Sequence, residues 1–254
     1  MLDSTGKCAV VTGASRGIGQ AIALRFVRGG YKVWAIARSE EGLEKLARSA
    51  GSQIHPLPID LSQPDQVIAG ARLIAQGGAP DVLVNNAGVT KSSPLTQLGL
   101  EDFEGVMAVN LTAAFLLCRE LLPTMAEAKR GRVINIASTA AVKGFKYGAA
   151  YCTSKHALVG LTRALAIEFA GQGVTVNAIC PGWIDTDMLR NLSRSVAEAN
   201  QRAPEAVLEA FRRLNPMQKF IALDDVAELA WFLASPHAAT VTGSVYMMDG
   251  GETA

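Results

Sequence analysis

Among 254 residues there are only four cysteines, three histidines and 6% aromatics, and 24 Lys+Arg against 23 Asp+Glu leave a formal charge of +1. Without a basic excess the chain lacks the means to bind nucleic acid by neutralising phosphates. His55, His156 and His237 are scattered and there is no C-x-x-C pair, so no metal site is expected. Cys8, Cys118, Cys152 and Cys180 lie far apart in apolar surroundings and read as buried free thiols of a reducing compartment. Repeats, low-complexity tracts and Pro/Ser-rich linkers are missing too. The opening MLDSTGKCAVVTG has no basic stretch followed by an apolar run, and no later window reads as unbroken apolar sequence of membrane-spanning length. A cytoplasmic chain without a membrane segment is expected.

The sequence is rich in apolar residues, at 49%, and in glycine, with 24, which excludes a disordered chain and allows one sizeable core with many tight turns. Short β-branched runs alternate with longer amphipathic ones, the pattern of a parallel sheet with helices on both faces. Seven strands are expected, at 8–12, 32–36, 54–58, 82–85, 132–136, 175–179 and 245–247. Helical periodicity covers 17–28, 64–76, 102–125 and 151–170. One α/β domain over 1–254 follows, and in such a sheet ligands bind beyond the C-terminal strand ends.

The unusual residues cluster there. After the first strand, Thr12-Gly13-Ala14-Ser15-Arg16-Gly17-Ile18-Gly19 opens a helix: Gly13 suits a tight turn, Gly17 lets backbone approach a pyrophosphate, Gly19 permits close helix packing, and the helix N-terminus offers amide donors. The same stretch matches the G-x-S-x-G nucleophile elbow, so a serine hydrolase built on Ser15 is the rival class. An elbow of that kind follows several strands and has an acid and a histidine downstream, whereas this turn follows the first strand. At the end of the second strand, where an acid would hold a ribose 2′-hydroxyl, stand Arg38 and Ser39. With Arg16, Arg38 suits a 2′-phosphate, so NADP is favoured over NAD.

Ser138, Tyr151 and Lys155 form the strongest signal. In a chain of this composition a chance Tyr-x-x-x-Lys arises at about 0.14, and a serine at the one matching upstream position lowers this below ~0.01. Four residues apart on a helix, Tyr151 and Lys155 share a face, while Ser138 follows the strand at 132–136. A ketone accepting hydride develops an alkoxide, which needs a proton donor and oriented hydrogen bonds, here Tyr151 and Ser138. Bringing the phenol from about 10 to near 7 takes ~4 kcal/mol, and a Lys155 ammonium about 4 Å away supplies ~4 kcal/mol at an effective dielectric of 20.

With Asp60, Asn85-Asn86-Ala87-Gly88, Asn110, Pro181-Gly182 with Thr186, and Asp249-Gly250-Gly251, these motifs closely resemble the short-chain dehydrogenase/reductase family over essentially the whole chain. The resemblance implies a doubly wound Rossmann fold with seven parallel strands. It also implies NADP(H) bound by the glycine turn, Arg38, Ser39, Asp60, Leu61, Asn86, Ala87, Gly88, Tyr151, Lys155, Pro181, Gly182, Ile184 and Thr186. Asn110 joins the catalytic trio as a proton-relay residue, and a homotetramer forms through two long helices and the last strand. The stretch at about 183–220 reads as a substrate lid, with Phe145, Trp183, Met188 and Leu189 making the pocket apolar. Arg190, Arg194, Arg202, Arg212 and Arg213 stand there for the phosphates of an acyl-CoA or carrier thioester, or for a solvated helical face. The expected activity is reversible reduction of a ketone to a secondary alcohol, closest to β-ketoacyl-thioester and polyketide ketoreductases. The alternative is a catabolic dehydrogenase of a cyclic or aryl secondary alcohol.

Overall fold

The computed structural model describes residues 6–254; residues 1–5 lie outside it. Seven strands run β1 Cys8–Thr12, β2 Lys32–Ala37, β3 Ile54–Pro58, β4 Val82–Asn85, β5 Gly131–Ile136, β6 Val174–Pro181 and β7 Val245–Met248. All six pairings are parallel, in the order β3-β2-β1-β4-β5-β6-β7. Each expected strand is present within a few residues, because a parallel sheet covered on both faces needs uninterrupted apolar runs; β4 and β6 are buried throughout. The strand order reverses between β1 and β4, which opens the ligand crevice at the ends of those strands.

On one face pack α1 Gly17–Arg28 and α9 Leu223–Ala234, where Phe26 meets Tyr31 and Trp231 edge-on at 5.1 and 5.6 Å. On the other lie α3 Pro64–Gln76, α5 Ala113–Glu127 and α6 Ala149–Phe169. Helix α2 Glu40–Ala50, capped by the Ser39 hydroxyl on the Gly42 N–H, runs between β2 and β3. Residues 183–220 form α7 Asp187–Ala199 and α8 Pro204–Arg212, pinned together by the Ser193 hydroxyl on the Pro204 carbonyl.

Two expectations are corrected. The helix expected at 102–125 is α4 Leu100–Met107, a π-turn over Ala108–Thr112, and α5. Together Leu100–Glu127 is long and apolar enough to cross a membrane by length and composition alone, but charged residues interrupt it and half of its apolar window is buried inside the fold, as in the core helix of a globular domain. The cysteines are free as expected, but only Cys118 and Cys180 are buried, Cys8 and Cys152 being half-buried.

Candidate active site

The glycine turn is built as its sequence requires. Gly13 and Gly17 adopt φ of +65° and +57°, and a Cβ on Gly19 would clash with the Gly13 carbonyl and the Asn86 amide. The Thr12 hydroxyl accepts from the Asn86 and Ala87 N–H groups, both at 2.9 Å, while Asn86 Nδ2 donates to the Thr12 carbonyl at 2.8 Å. Asn86 therefore shapes the turn. Arg16 occupies the α1 N-cap without a side-chain cap, which leaves the helix N-terminal amides for an anion.

Around this turn the expected cofactor residues divide. Arg38 lies close enough to Asp60 to help hold its carboxyl below the usual range, after the hydrogen bonds from the Ser62 N–H and hydroxyl. Arg16 reaches the other way, pairing across 3.8 Å with Asp187 at the start of α7. Ser39 is engaged as the α2 cap, and the start of α2 packs onto Ser15 at Gly42. The side chains of Leu61 and Ile184 are core, with Ile18 packed beside Ile184's cluster, so they shape the crevice from behind. Thr186 caps α7 through the Leu189 N–H at 3.5 Å, and Gly182 donates to the Met248 carbonyl, close against Asp249.

No histidine accompanies Ser15 as the hydrolase reading requires. His55 stacks against Trp34 on the sheet's β2–β3 side, His156 engages the Cys152 carbonyl on α6, and His237 lies in the turn after α9.

Ser138, Tyr151 and Lys155 converge beyond the end of β5. Ser138 begins a turn in which its hydroxyl accepts from the Ala140 N–H at 3.1 Å, and it lies close enough to Tyr151 to pull the phenol down. Lys155 is 3% exposed, its ammonium donates to the Ile136 carbonyl at 2.8 Å, and it stands 5.8 Å from the centre of the Tyr151 ring. Burial lowers the Lys155 ammonium to about 8. The phenol corrects the sequence expectation: burial raises Tyr151 above the usual tyrosine value, more than Ser138 lowers it. Desolvation penalises a phenolate more than the Coulomb argument allowed. Tyr151 is thus protonated at neutral pH, the state a proton donor requires.

Asn110 sits buried in the π-turn. Its Oδ1 accepts from the Val89 N–H at 2.8 Å, and its Nδ2 donates to the Val89 carbonyl and the Ser154 hydroxyl. Such single-turn widenings often mark functional sites. Gly88 lies between Asn110 and Lys155. Cys180, read from sequence only as a buried thiol, lies near Ser138 and Lys155, and burial pushes its thiol up. Among the described residues no cluster of His, Cys, Asp or Glu is arranged to hold a metal ion.

Beside Tyr151 opens a cleft of about 400 Å³, lined by Ser93, Leu95, Phe145, Tyr147, Ala149 and Cys152 among others. Of the four expected pocket residues only Phe145 lines it, its ring 6.2 Å from that of Tyr151. Trp183 stacks on Phe211 of α8 at 4.4 Å, Leu189 is 4% exposed in the packing of α7, and Met188 points outward. The missed lining comes from two places, Ser93 and Leu95 in the loop after β4, and Gly144 to Thr153 in the loop after β5 and the first turn of α6, loops whose irregular sequence has no periodicity to read. The arginines of residues 183–220 are mostly engaged at home: Arg190 forks onto Asp185, Arg212 and Arg213 hold Glu209, and Arg194 reaches Asn191.

A glycine turn at the reversal of a parallel sheet, with a serine, a protonated tyrosine and a buried lysine beyond its strands, defines a dinucleotide-dependent oxidoreductase. Residues 13–253 match the family described as Enoyl-(Acyl carrier protein) reductase. The chain is 39% identical over 250 residues to the 3-oxoacyl-(acyl-carrier-protein) reductase FabG of Pseudomonas aeruginosa, covering 97% of both. Its fold superposes on a variant of actinorhodin polyketide ketoreductase with NADPH at a TM-score of 0.93 and 34% identity, covering 99% of both. A putative NAD(P) dependent gluconate 5-dehydrogenase from Beutenbergia cavernae with bound NADP superposes at 0.88, with 37% identity and coverage of 97% of this chain and 96% of that one. The chain belongs to the short-chain dehydrogenase/reductase family and is an NADP-dependent oxidoreductase.

Proposed function

We propose that the protein reduces the ketone of a 3-oxoacyl thioester, carried on coenzyme A or on a carrier protein, to the secondary alcohol. The observation that carries this is the convergence of Ser138, Tyr151 and the buried Lys155 beyond the end of β5, beside an apolar cleft. The Gly13–Gly19 turn, whose Gly19 tolerates no Cβ, and the uncapped amides of α1 fit the pyrophosphate, and Arg16 and Arg38 suit the 2′-phosphate. When bound, NADPH supplies the hydride. Ser138 orients the carbonyl oxygen and Tyr151 donates the proton from its hydroxyl. Lys155 stabilises the phenolate left behind, and Asn110 holds the loop at Val89 against α6.

The relatives named for oxoacyl reduction support the thioester, while the aromatic wall of Phe145 and Tyr147 keeps a cyclic or aryl alcohol as the second reading. The segment at 183–220 acts as the lid, the chain works in the cytoplasm, and it assembles as a homotetramer. Tyr151→Phe tests the chemistry: NADPH oxidation with a 3-oxoacyl thioester should fall 10²- to 10⁴-fold while NADPH fluorescence still reports binding. Full turnover in that variant refutes the reading, and a cyclic or aryl alcohol outperforming every thioester replaces the substrate class.

A further inference from the structure

The C-terminal turn brings a carboxylate to the two loops that flank the trio. The Glu252 side chain is 4% exposed. Its Oε1 accepts from Lys143 Nζ at 2.7 Å and from Trp183 Nε1 at 3.2 Å, and its Oε2 is buried without a partner. Lys143 belongs to the loop that begins at Ser138: its N–H donates to the Thr139 carbonyl, and its neighbours Gly144 and Phe145 line the cleft beside Tyr151. Trp183 follows Gly182 at the end of β6.

A carboxylate buried this deeply requires a cation, so Glu252 fixes the Lys143 ammonium in place. The Lys143 side chain is 38% exposed, and its ammonium carries three N–H donors, of which Glu252 takes one. An anchored cation with donors to spare, one turn from Ser138, is suited to an oxygen acceptor on the substrate other than the reacting ketone. A 3-oxoacyl thioester has one, its thioester carbonyl, separated from the ketone by a single methylene.

We propose that Lys143, held by Glu252, is a specificity-determining residue that donates to the thioester carbonyl while the ketone lies at Ser138 and Tyr151; this rests on the reductase reading above. A plain ketone leaves that donor unmatched, and one charge-assisted hydrogen bond corresponds to a ten- to hundredfold preference.

The test compares kcat/KM for S-acetoacetyl-N-acetylcysteamine, free acetoacetate and 2-heptanone. In the wild type the thioester should exceed the plain ketone by that factor. The ratio should fall tenfold or more in Lys143→Met and be largely kept in Lys143→Arg. Glu252→Gln, which keeps the shape and removes the charge, should lower it through KM. A ratio within twofold of wild type in both Lys143→Met and Glu252→Gln overturns the inference, as does a wild type that prefers 2-heptanone to the thioester. If Lys143→Met does not fold, the Arg and Gln variants carry the comparison. Failure of the underlying reading shows separately, as turnover that survives Tyr151→Phe.

Discussion

The Asn135 side-chain amide donates to the Thr162 hydroxyl at 2.8 Å, joining the end of β5 to α6. Ser138 follows β5, and Tyr151 and Lys155 stand on α6, so this buried bond connects the two elements that carry the trio. It continues in both directions: Asn85 on β4 donates to Asn135 Oδ1 at 2.8 Å, and Thr162 donates to the Leu158 carbonyl. Linked hydrogen bonds of this kind polarise one another, so the chain is stronger than isolated pairs, although the Asn85 Oδ1 at its β4 end is buried without a partner.

Thr162→Val keeps the side-chain volume and removes the acceptor, leaving a buried Asn135 N–H unpaired. The expected cost is about 1–3 kcal/mol, read as a lower urea midpoint and a Tm several degrees down. The kcat for ketone reduction should fall with it as the Ser138–Tyr151 spacing relaxes. An unchanged Tm would count against the network.

Arg38 is the residue we assign to cofactor choice. Replacing it by Asp would remove the cation proposed to face the 2′-phosphate and place an acid where a ribose 2′-hydroxyl would bind. The ratio of kcat/KM for NADPH over NADH should drop about 10- to 100-fold, the range of one charged hydrogen bond. Equal values for the two cofactors in the wild type would refute the clamp.

The trio was legible in the sequence because its members keep fixed spacings within one strand-to-helix passage, and the strands were legible because burial on both faces demands apolar runs. Other features had no local pattern. Lys143 and Trp183 meet Glu252 across 109 and 69 positions, and Arg16 meets Asp187 across the crevice. The π-turn around Asn110 adds a residue to a turn without disturbing the apolar periodicity averaged over a window. Trp183, Met188 and Leu189 are apolar and fall in the right segment, but residue type does not say which face of a packed helix pair a side chain takes. The height of the Tyr151 phenol required knowing its burial as well as its distance from a charge.

Lys155 sets a pH dependence whose sign differs between rate and stability. Its ammonium is lowered to about 8, whereas an unfolded lysine titrates near 10.4. Below pH 8 both states are charged and the burial penalty is present in full. Between about 8 and 10.4 the unfolded chain binds a proton that the folded chain has released, so Lys155's contribution to stability rises with pH there. Reduction should fall across the lower part of that window, because the cation that stabilises the Tyr151 phenolate is lost. Lys155→Arg, always charged, should abolish the limb at a lower absolute rate. A wild-type pH–rate profile flat from 7 to 9 would contradict the assignment.

Assembly is expected to bury the outward faces of α5 and α6. Ile167 near the end of α6 is 84% exposed and Phe115 on α5 is 45% exposed, while Gly160 and Ala164 leave the outer side of α6 low enough for another helix to approach. Large apolar side chains left in water on two neighbouring long helices are the signature of a surface that another protein covers, at roughly 25 cal/mol per Å² buried. Phe232 on α9 and Met247 on β7, both partly exposed, offer a second such face, and two independent faces build a tetramer where one builds a dimer. Multi-angle light scattering at micromolar concentration should therefore give four times the 26.8 kDa chain mass. Ile167→Glu places a charge in the first contact and should leave dimers held by the second face, with the trio itself untouched. A monomeric wild type, or a tetramer that survives Ile167→Glu unchanged, would show that these helices do not form the interface.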